Sequence, residues 1–288
     1  MLVSINYRLG AQGFRELPDA PANRAVRDWV VALQWVQENI AAFGGEPAKV
    51  TIGGQSAGGG ACATLLGVPA ARPLFRSAIC MSGGPALQQT AEGVRSVARK
   101  LARHLGIPLS RDALDGLPDT AILAAQEAVS APAFRVPDRD SVIKALGGMR
   151  LQWAPWVDGD VVTQDPWQAA SSRRRSAGSR GAAFVYDFQW PSKALSLRGQ
   201  GIHCLDIPFA FDGLSEPGVT EIAGDSPPVT LADDMHRAWV SFVTDGSPGW
   251  EPYEAGRRRV MIFGAASKVL SDPLRVEREA WSGVLASG

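Results

Sequence analysis

Gly54-Gln55-Ser56-Ala57-Gly58 is the stretch of this chain whose residue types and spacing most plainly could do chemistry. A serine hydroxyl becomes a nucleophile when a sharp turn holds it clear of a strand end and a base can take its proton. Lys49-Val50-Thr51-Ile52 reads as a short strand entering that turn, and Ser56 onward as a helix of small residues leaving it. Glycines on either side of such a turn leave room for the neighbouring strand and helix, and Gly58, Gly59, Gly60 and Ala61 let the helix sit close. Its positive N-terminal end then lies under an oxygen that gains negative charge, with the Ala57 N–H as one oxyanion donor. The plainer alternative is a Gly-rich turn with a capping serine. The strand before it and the small-residue helix after it favour the nucleophile.

The base must be one of three histidines. His104 stands at a helix end before Gly106, where a surface or capping role is expected. His236 falls on the polar side of a helix and reads as solvated. His203 sits in a loop, Gly201-Ile202-His203-Cys204-Leu205-Asp206-Ile207-Pro208-Phe209, that follows a strand. It is the candidate base.

These residues need a sheet to position them. Leu2–Tyr7 alternates apolar residues and reads as a strand running into a turn at Arg8-Leu9-Gly10. Apolar residues at Val26, Trp29, Val30, Leu33, Val36, Ile40 and Phe43 recur at intervals of three and four, the mark of an amphipathic helix from Ala25 to Phe43. Arg76–Met81 is a further buried strand. Strand, helix, strand, helix, strand implies an α/β fold with a parallel sheet flanked by helices. Residues 91 to 130 read as helices broken at Gly106-Ile107-Pro108 and Gly116-Leu117-Pro118. From 131 to 181 the chain is mostly loop, with a tight element at Trp156–Asp160. Phe184–Phe188 reads as a strand, Leu231–Val243 as a helix with Met235, Trp239 and Phe242 on one face, and Arg259–Phe263 as a last strand. No clean linker interrupts residues 1–288, which read as one domain.

Composition narrows the partners. Lysine plus arginine and aspartate plus glutamate number 29 each, so bulk electrostatics gives no reason to expect nucleic acid or an anionic membrane. The runs Arg173-Arg174-Arg175 and Arg257-Arg258-Arg259 lack aromatic interleaving and read as solvated loop faces. No window reaches 18 apolar residues. The first residues carry no basic leader, and Cys62, Cys80 and Cys204 are an odd set without metal-ligand spacing, read as free thiols with the first two buried. A cytoplasmic protein without metal or organic cofactor is the expectation. A nucleotide-binding reading of the glycines at 53, 54, 58, 59 and 60 fails, because the spacing is not G-x-G-x-x-G and no Walker lysine follows.

Asn6-Tyr7-Arg8-Leu9-Gly10 with Gly13-Phe14, then Ala32-Leu33-Gln34-Trp35-Val36 with Asn39-Ile40 and Phe43-Gly44-Gly45, then Val50-Thr51-Ile52 into Gly-Gln-Ser-Ala-Gly, resembles the type B carboxylesterases. That family includes cholinesterases and bacterial para-nitrobenzyl esterases. The likeness is dense over 2–84, resumes over 182–273 with Asp245-Gly246 and Asp272-Pro273, and is thin over 85–181 apart from Pro155–Gly159. It implies an α/β-hydrolase fold and a serine carboxylic-ester hydrolase with Ser56 as nucleophile and His203 as base, in the family order of serine, acid, histidine. It implies an ester substrate and no cofactor.

The resemblance also shows what is missing. The Gly-Thr-Asn-like segment that carries the family's acid is not found. Asp158, Asp160 and Asp187 lie in the right interval, yet each has surroundings that point to a structural role. The family's His-Gly-Gly loop, with further oxyanion donors, precedes the point where this chain begins. Two strands of the family sheet would be absent, one beside Leu2–Tyr7 and one between Arg76–Met81 and Phe184–Phe188. Sheet gaps leave backbone groups that must be covered or paired otherwise, and a second copy of the chain is one way to cover them. The expectation is an incomplete α/β-hydrolase domain, truncated at its start and internally deleted. A catalytically impaired remnant or interaction protein is the alternative to an active esterase.

Overall fold

The three-and-four spacing from Val26 onward becomes helix α2 (Arg24–Asn39), whose Val26, Trp29, Val30, Leu33 and Val36 are buried along one face. A one-turn helix, α1 (Gly10–Phe14), precedes it, and a short 3-10 turn (Ile40–Phe43) completes the periodic stretch. The computed structural model describes residues 1–83, 88–130, 151–166, 168–169 and 181–285, and the chain divides into two units, Met1–Arg175 and Ser176–Gly288. The run Arg173–Arg175 lies outside the described residues, as does most of the expected loop between 131 and 181.

In the first unit, β1 (Thr51–Gln55) and β2 (Ser77–Met81) pair in parallel, with Thr51 opposite Ser77 and Gln55 opposite Met81. Helix α3 (Ala57–Leu66) makes the crossover and packs on both strands. The core gathers Phe14, Val26, Trp29, Leu33, Leu65, Val68 and Phe75 around α2. Tyr7 meets Trp29 edge-on at 5.4 Å. Burying side chains of this size contributes ~1.5–3 kcal/mol each and holds the frame beneath the strand ends.

Helices α4 (Ala91–Leu105), α5 (Arg111–Asp115) and α6 (Asp119–Val129) end or begin at the expected Gly-Pro breaks. Thr90 and Ser110 cap α4 and α5 by accepting from the amides three residues on. Gly106 takes the left-handed conformation (φ 67°) that closes α4.

One expectation fails here. Leu2–Tyr7 is not a strand, and Leu2 is 81 % exposed. Apolar alternation makes a strand only where a neighbour accepts the backbone ladder. The described residues supply none at this place.

In the second unit, β3 (Tyr186–Phe188) runs parallel to β4 (Arg259–Phe263), and β5 (Lys268–Ser271) adds antiparallel to β4. The strand β5 extends the sheet beyond what the residue pattern suggested. Short helices α7 (Ile207–Ala210) and α8 (Val219–Ala223) precede the long α9 (Val229–Asp245), and α10 (Arg275–Leu285) follows the sheet. Tyr186 meets Trp239 edge-on at 4.9 Å, and Phe184 meets Phe242 at 6.0 Å, so α9 presents its predicted aromatic face to β3. Arg257 and Arg259 pair with Glu251 and do not form a free basic face.

Candidate active site

The strand–turn–helix at Ser56 is built from backbone contacts that admit no side chain. A Cβ on Gly54 would lie 2.3 Å from the Gly58 carbonyl carbon, one on Gly59 would lie 2.6 Å from Met81 O, and one on Gly83 would lie 2.3 Å from the Gly59 carbonyl carbon. At these glycines the helix meets the strand ends main chain to main chain. Gly58 is different, since a Cβ there meets nothing within 4 Å.

Between the packed glycines, Ser56 has φ 54° and ψ −118°. That combination lies outside every region comfortable for an L-residue, including the left-handed helical one. Two hydrogen bonds hold it there. The Ser56 amide donates to Met81 O at 2.9 Å, and Ser56 O accepts from the Gly60 amide at 2.9 Å. The latter is the first bond of α3, so the amides of Ala57, Gly58 and Gly59 precede the helical ladder. Ser56 is half-buried and Ala57 exposed. The arrangement presents a hydroxyl beside N–H groups at the positive end of a ten-residue helix, the setting for stabilising an oxyanion.

His203 belongs to the second unit. It lies in a turn with its side chain exposed, and Cys204 next to it has φ 71°. The turn is closed by Leu205 N–H to Ile202 O at 3.3 Å and Ile207 N–H to Cys204 O at 3.2 Å. Leu205, Asp206 and Phe209 are buried behind it, with Phe209 packed between Phe188 and Trp190 at 5.3 and 5.0 Å. Apolar anchoring on the inner side thus leaves the imidazole on the outer side.

Asp206 was not singled out from the sequence, although its spacing of three from His203 was there to be read. It is 6 % exposed, and burial raises its pKa above the usual carboxylate value. A hydrogen bond from its own backbone amide, then the neighbouring His203 and a hydrogen bond from Tyr186, pull the other way.

The three aspartates in the expected interval are engaged elsewhere. Asp158 Oδ1 accepts from the amides of Asp160 and Val162, and its Oδ2 accepts from Asn23 Nδ2 at 2.8 Å. Asp160 pairs with Arg27. Asp187 accepts from Gln189 Nε2 at 2.8 Å. His104 is exposed in the last turn of α4. His236 departs from the solvated reading, since it is half-buried and its Nδ1 lies 3.0 Å from Ala210 O, joining α9 to α7.

Cys62 is buried and Cys80 half-buried, and burial pushes their thiols up to about 12 and about 11. Neither is a thiolate at neutral pH. Among the described residues no cluster of His, Cys, Asp or Glu could hold a metal ion, and no helix is long and apolar enough to cross a membrane.

Known proteins resemble the chain in sequence and fold. The model of the Carboxylesterase family covers residues 1–180. The para-nitrobenzyl esterase of Bacillus subtilis (strain 168) is 25 % identical over 97 % of this chain and 72 % of its own length. The cholinesterase of Mus musculus is 37 % identical, over 58 % of this chain and 27 % of its own. The crystal structure of the Geobacillus stearothermophilus carboxylesterase EST55 superposes with a TM-score of 0.77 at 26 % identity, covering 96 % of this chain and 74 % of that one. The fold is accordingly that of an α/β-hydrolase with an incomplete sheet among the described residues.

Proposed function

The chain belongs to the carboxylesterase family, and from that premise we propose that it hydrolyses carboxylic esters through Ser56 and His203. Ser56 Oγ attacks the ester carbonyl while His203 accepts its proton. The Ala57 N–H donates to the oxyanion of the tetrahedral intermediate. Collapse expels the alcohol, which takes the proton back from His203 and leaves an acyl group on Ser56. Water, deprotonated by the same histidine, then releases the acid. The observation that carries this reading is the backbone of Ser56, held at φ 54° and ψ −118° at the head of α3. Strain of this kind persists where surrounding contacts over-determine it, and such sites are concentrated at functional positions.

A second reading, a catalytically impaired member of the family, is favoured by one observation. Asp158, Asp160 and Asp187 each have structural partners. A serine–histidine pair without its acid loses ~10⁴ in turnover yet stays above the uncatalysed rate.

Treatment with a fluorophosphonate probe separates the readings. Covalent labelling of Ser56, absent in Ser56→Ala and strongly slowed in His203→Gln, is the expected result, with hydrolysis of a chromogenic carboxylic ester lost in parallel. A cooperatively folded chain whose Ser56 takes no label overturns the catalytic reading in favour of the second.

A further inference from the structure

The first unit holds a cluster of arginines that ester hydrolysis does not use. Arg8, Arg15, Arg24, Arg27 and Arg111 line one cavity of about 330 Å³, with Asp115 as the acid in its wall. Three of the five have carboxylate partners. Arg8 pairs with Asp28 at 2.6 Å, Arg27 with Asp160, and Arg111 with Asp115 at 3.0 Å. Asp19, nearby in sequence, accepts from the backbone amide of Arg111 and not from a guanidinium.

The two buried arginines are placed otherwise. Arg24, 8 % exposed, directs its guanidinium to main-chain carbonyls, donating to Gln12, Pro21 and Arg15 at 2.8 Å each. Arg15 is 6 % exposed, and its Nε and Nη1 meet no hydrogen-bond acceptor among the described residues. Neither forms an ion pair there. A buried guanidinium with unmet donors is among the most costly groups a fold can hold, and this one lies beside a second buried cation. The electrostatics agree. Burial lowers the pKa of Arg15, and that of Arg24 falls to about 10 through burial first and then through the charges of Arg15 and Arg8, with the Asp115 charge opposing at both and Asp28 at Arg24. Both still carry their charge at neutral pH.

The Arg15 donors lack acceptors, and Asp115, which also pairs with Arg111, is the carboxylate of the cavity wall whose charge reaches Arg15 and Arg24. We propose that this cavity binds a phosphate group, with the Arg15 Nε–H and Nη1–H groups as direct donors, Arg24 supplying positive field, and Arg111, paired with Asp115, at the cavity wall. Guanidinium forks match the oxygens of phosphate in paired hydrogen bonds. A cavity of this volume admits inorganic phosphate with water or a small phosphomonoester.

The test uses the full chain and needs no catalytic activity. Inorganic phosphate, glycerol phosphate and acetate are titrated separately by calorimetry at constant ionic strength, with thermal unfolding measured alongside. Saturable one-to-one binding of phosphate, with an unfolding midpoint that rises with its concentration, is the expected result. Tighter binding of glycerol phosphate than of inorganic phosphate assigns the site to a monoester, and the reverse assigns it to the free ion. Arg15→Gln is expected to weaken binding at least tenfold, and Arg237→Gln, at an exposed position of α9, to leave it unchanged. Should Arg15→Gln fail to fold, Arg111→Gln is expected to weaken binding several-fold. Absence of saturable phosphate binding by the native chain overturns the proposal, as does acetate binding equally well or undiminished binding by the folded Arg15→Gln chain.

Discussion

The amide of Ser56 donates to the carbonyl of Met81 at 2.9 Å, so the proposed nucleophile is bonded through its backbone to the last residue of the adjacent strand. The same Met81 oxygen lies 2.6 Å from where a Cβ of Gly59 would be. One carbonyl therefore both positions the serine and sets how close α3 comes to β2. The strain at Ser56 follows from this anchoring and is not a property of the serine itself.

Relieving that strain should stabilise the chain. Glycine accepts φ 54° and ψ −118° at little cost, whereas a side chain there costs ~1–3 kcal/mol. After the entropy that glycine loses on folding, Ser56→Gly is expected to gain about 1 kcal/mol while abolishing probe labelling. A rise of ~2–4 °C in the unfolding midpoint would register it. A fall in midpoint would show that the serine side chain supports the turn.

Two glycines four residues apart, Gly54 and Gly58, should behave in opposite ways. Gly54→Ala drives a methyl group into the main chain of Gly58, at 2.3 Å, and neither partner is a flexible side chain that could yield. A loss of ~3 kcal/mol or more is expected, at the upper end of overpacking costs. Gly58→Ala places its methyl in open space within a helix and should be neutral or gain up to ~1 kcal/mol. Urea midpoints of the two variants, measured side by side, check the contrast.

What could be read from the residues alone, and what could not, follows from how far each determinant lies along the chain. The serine turn was legible because its glycines contact residues only a few positions away or on the next strand. Helices α2 and α9 were legible because one apolar stripe specifies each. Helix α1, with two glycines in five residues, reads locally as a turn. It is held by the Ala11 amide donating to Gln126 Oε1 at 2.7 Å, across 115 positions. The strand β5 is exposed throughout and exists because β4 offers it a ladder, while Leu2–Tyr7 has the alternation and no ladder. Of the proposed catalytic residues, Ser56, Ala57 and His203 are legible from their flanking residues. Asp206 is not legible in this way, because burial and not residue type sets it apart.

Asn23 should prove one of the most sensitive positions outside the site. It is fully buried, with φ 48°, at the start of α2. Its amide nitrogen donates to Trp156 O and Asp158 Oδ2 at 2.8 Å each, and its oxygen accepts from the Trp156 amide at 3.2 Å. Asn23→Ala leaves a buried backbone N–H and carbonyl unmet, at ~1–3 kcal/mol for each group. It also puts alanine into a conformation that asparagine tolerates better. A destabilisation of at least ~3 kcal/mol in equilibrium unfolding is expected, and a loss under 1 kcal/mol would mean that water replaces the side chain.

The buried Asp206 gives the pH dependence a definite sign. Burial raises its folded pKa above the usual carboxylate value, with its backbone hydrogen bond, the neighbouring His203 and the Tyr186 hydrogen bond only partly opposing. Between the ordinary value and that raised one, the folded chain holds a proton that the unfolded chain has lost. The contribution of Asp206 to stability is therefore largest below the ordinary carboxylate pKa and falls as pH rises through the folded one. Asp206→Asn removes this dependence while keeping the side chain's size and a hydrogen-bonding group for Tyr186. The difference in unfolding free energy, variant minus native chain, is expected to grow in favour of the variant as pH rises across that window and then to level off. A difference that stays flat across the window would mean that the carboxyl titrates alike in both states.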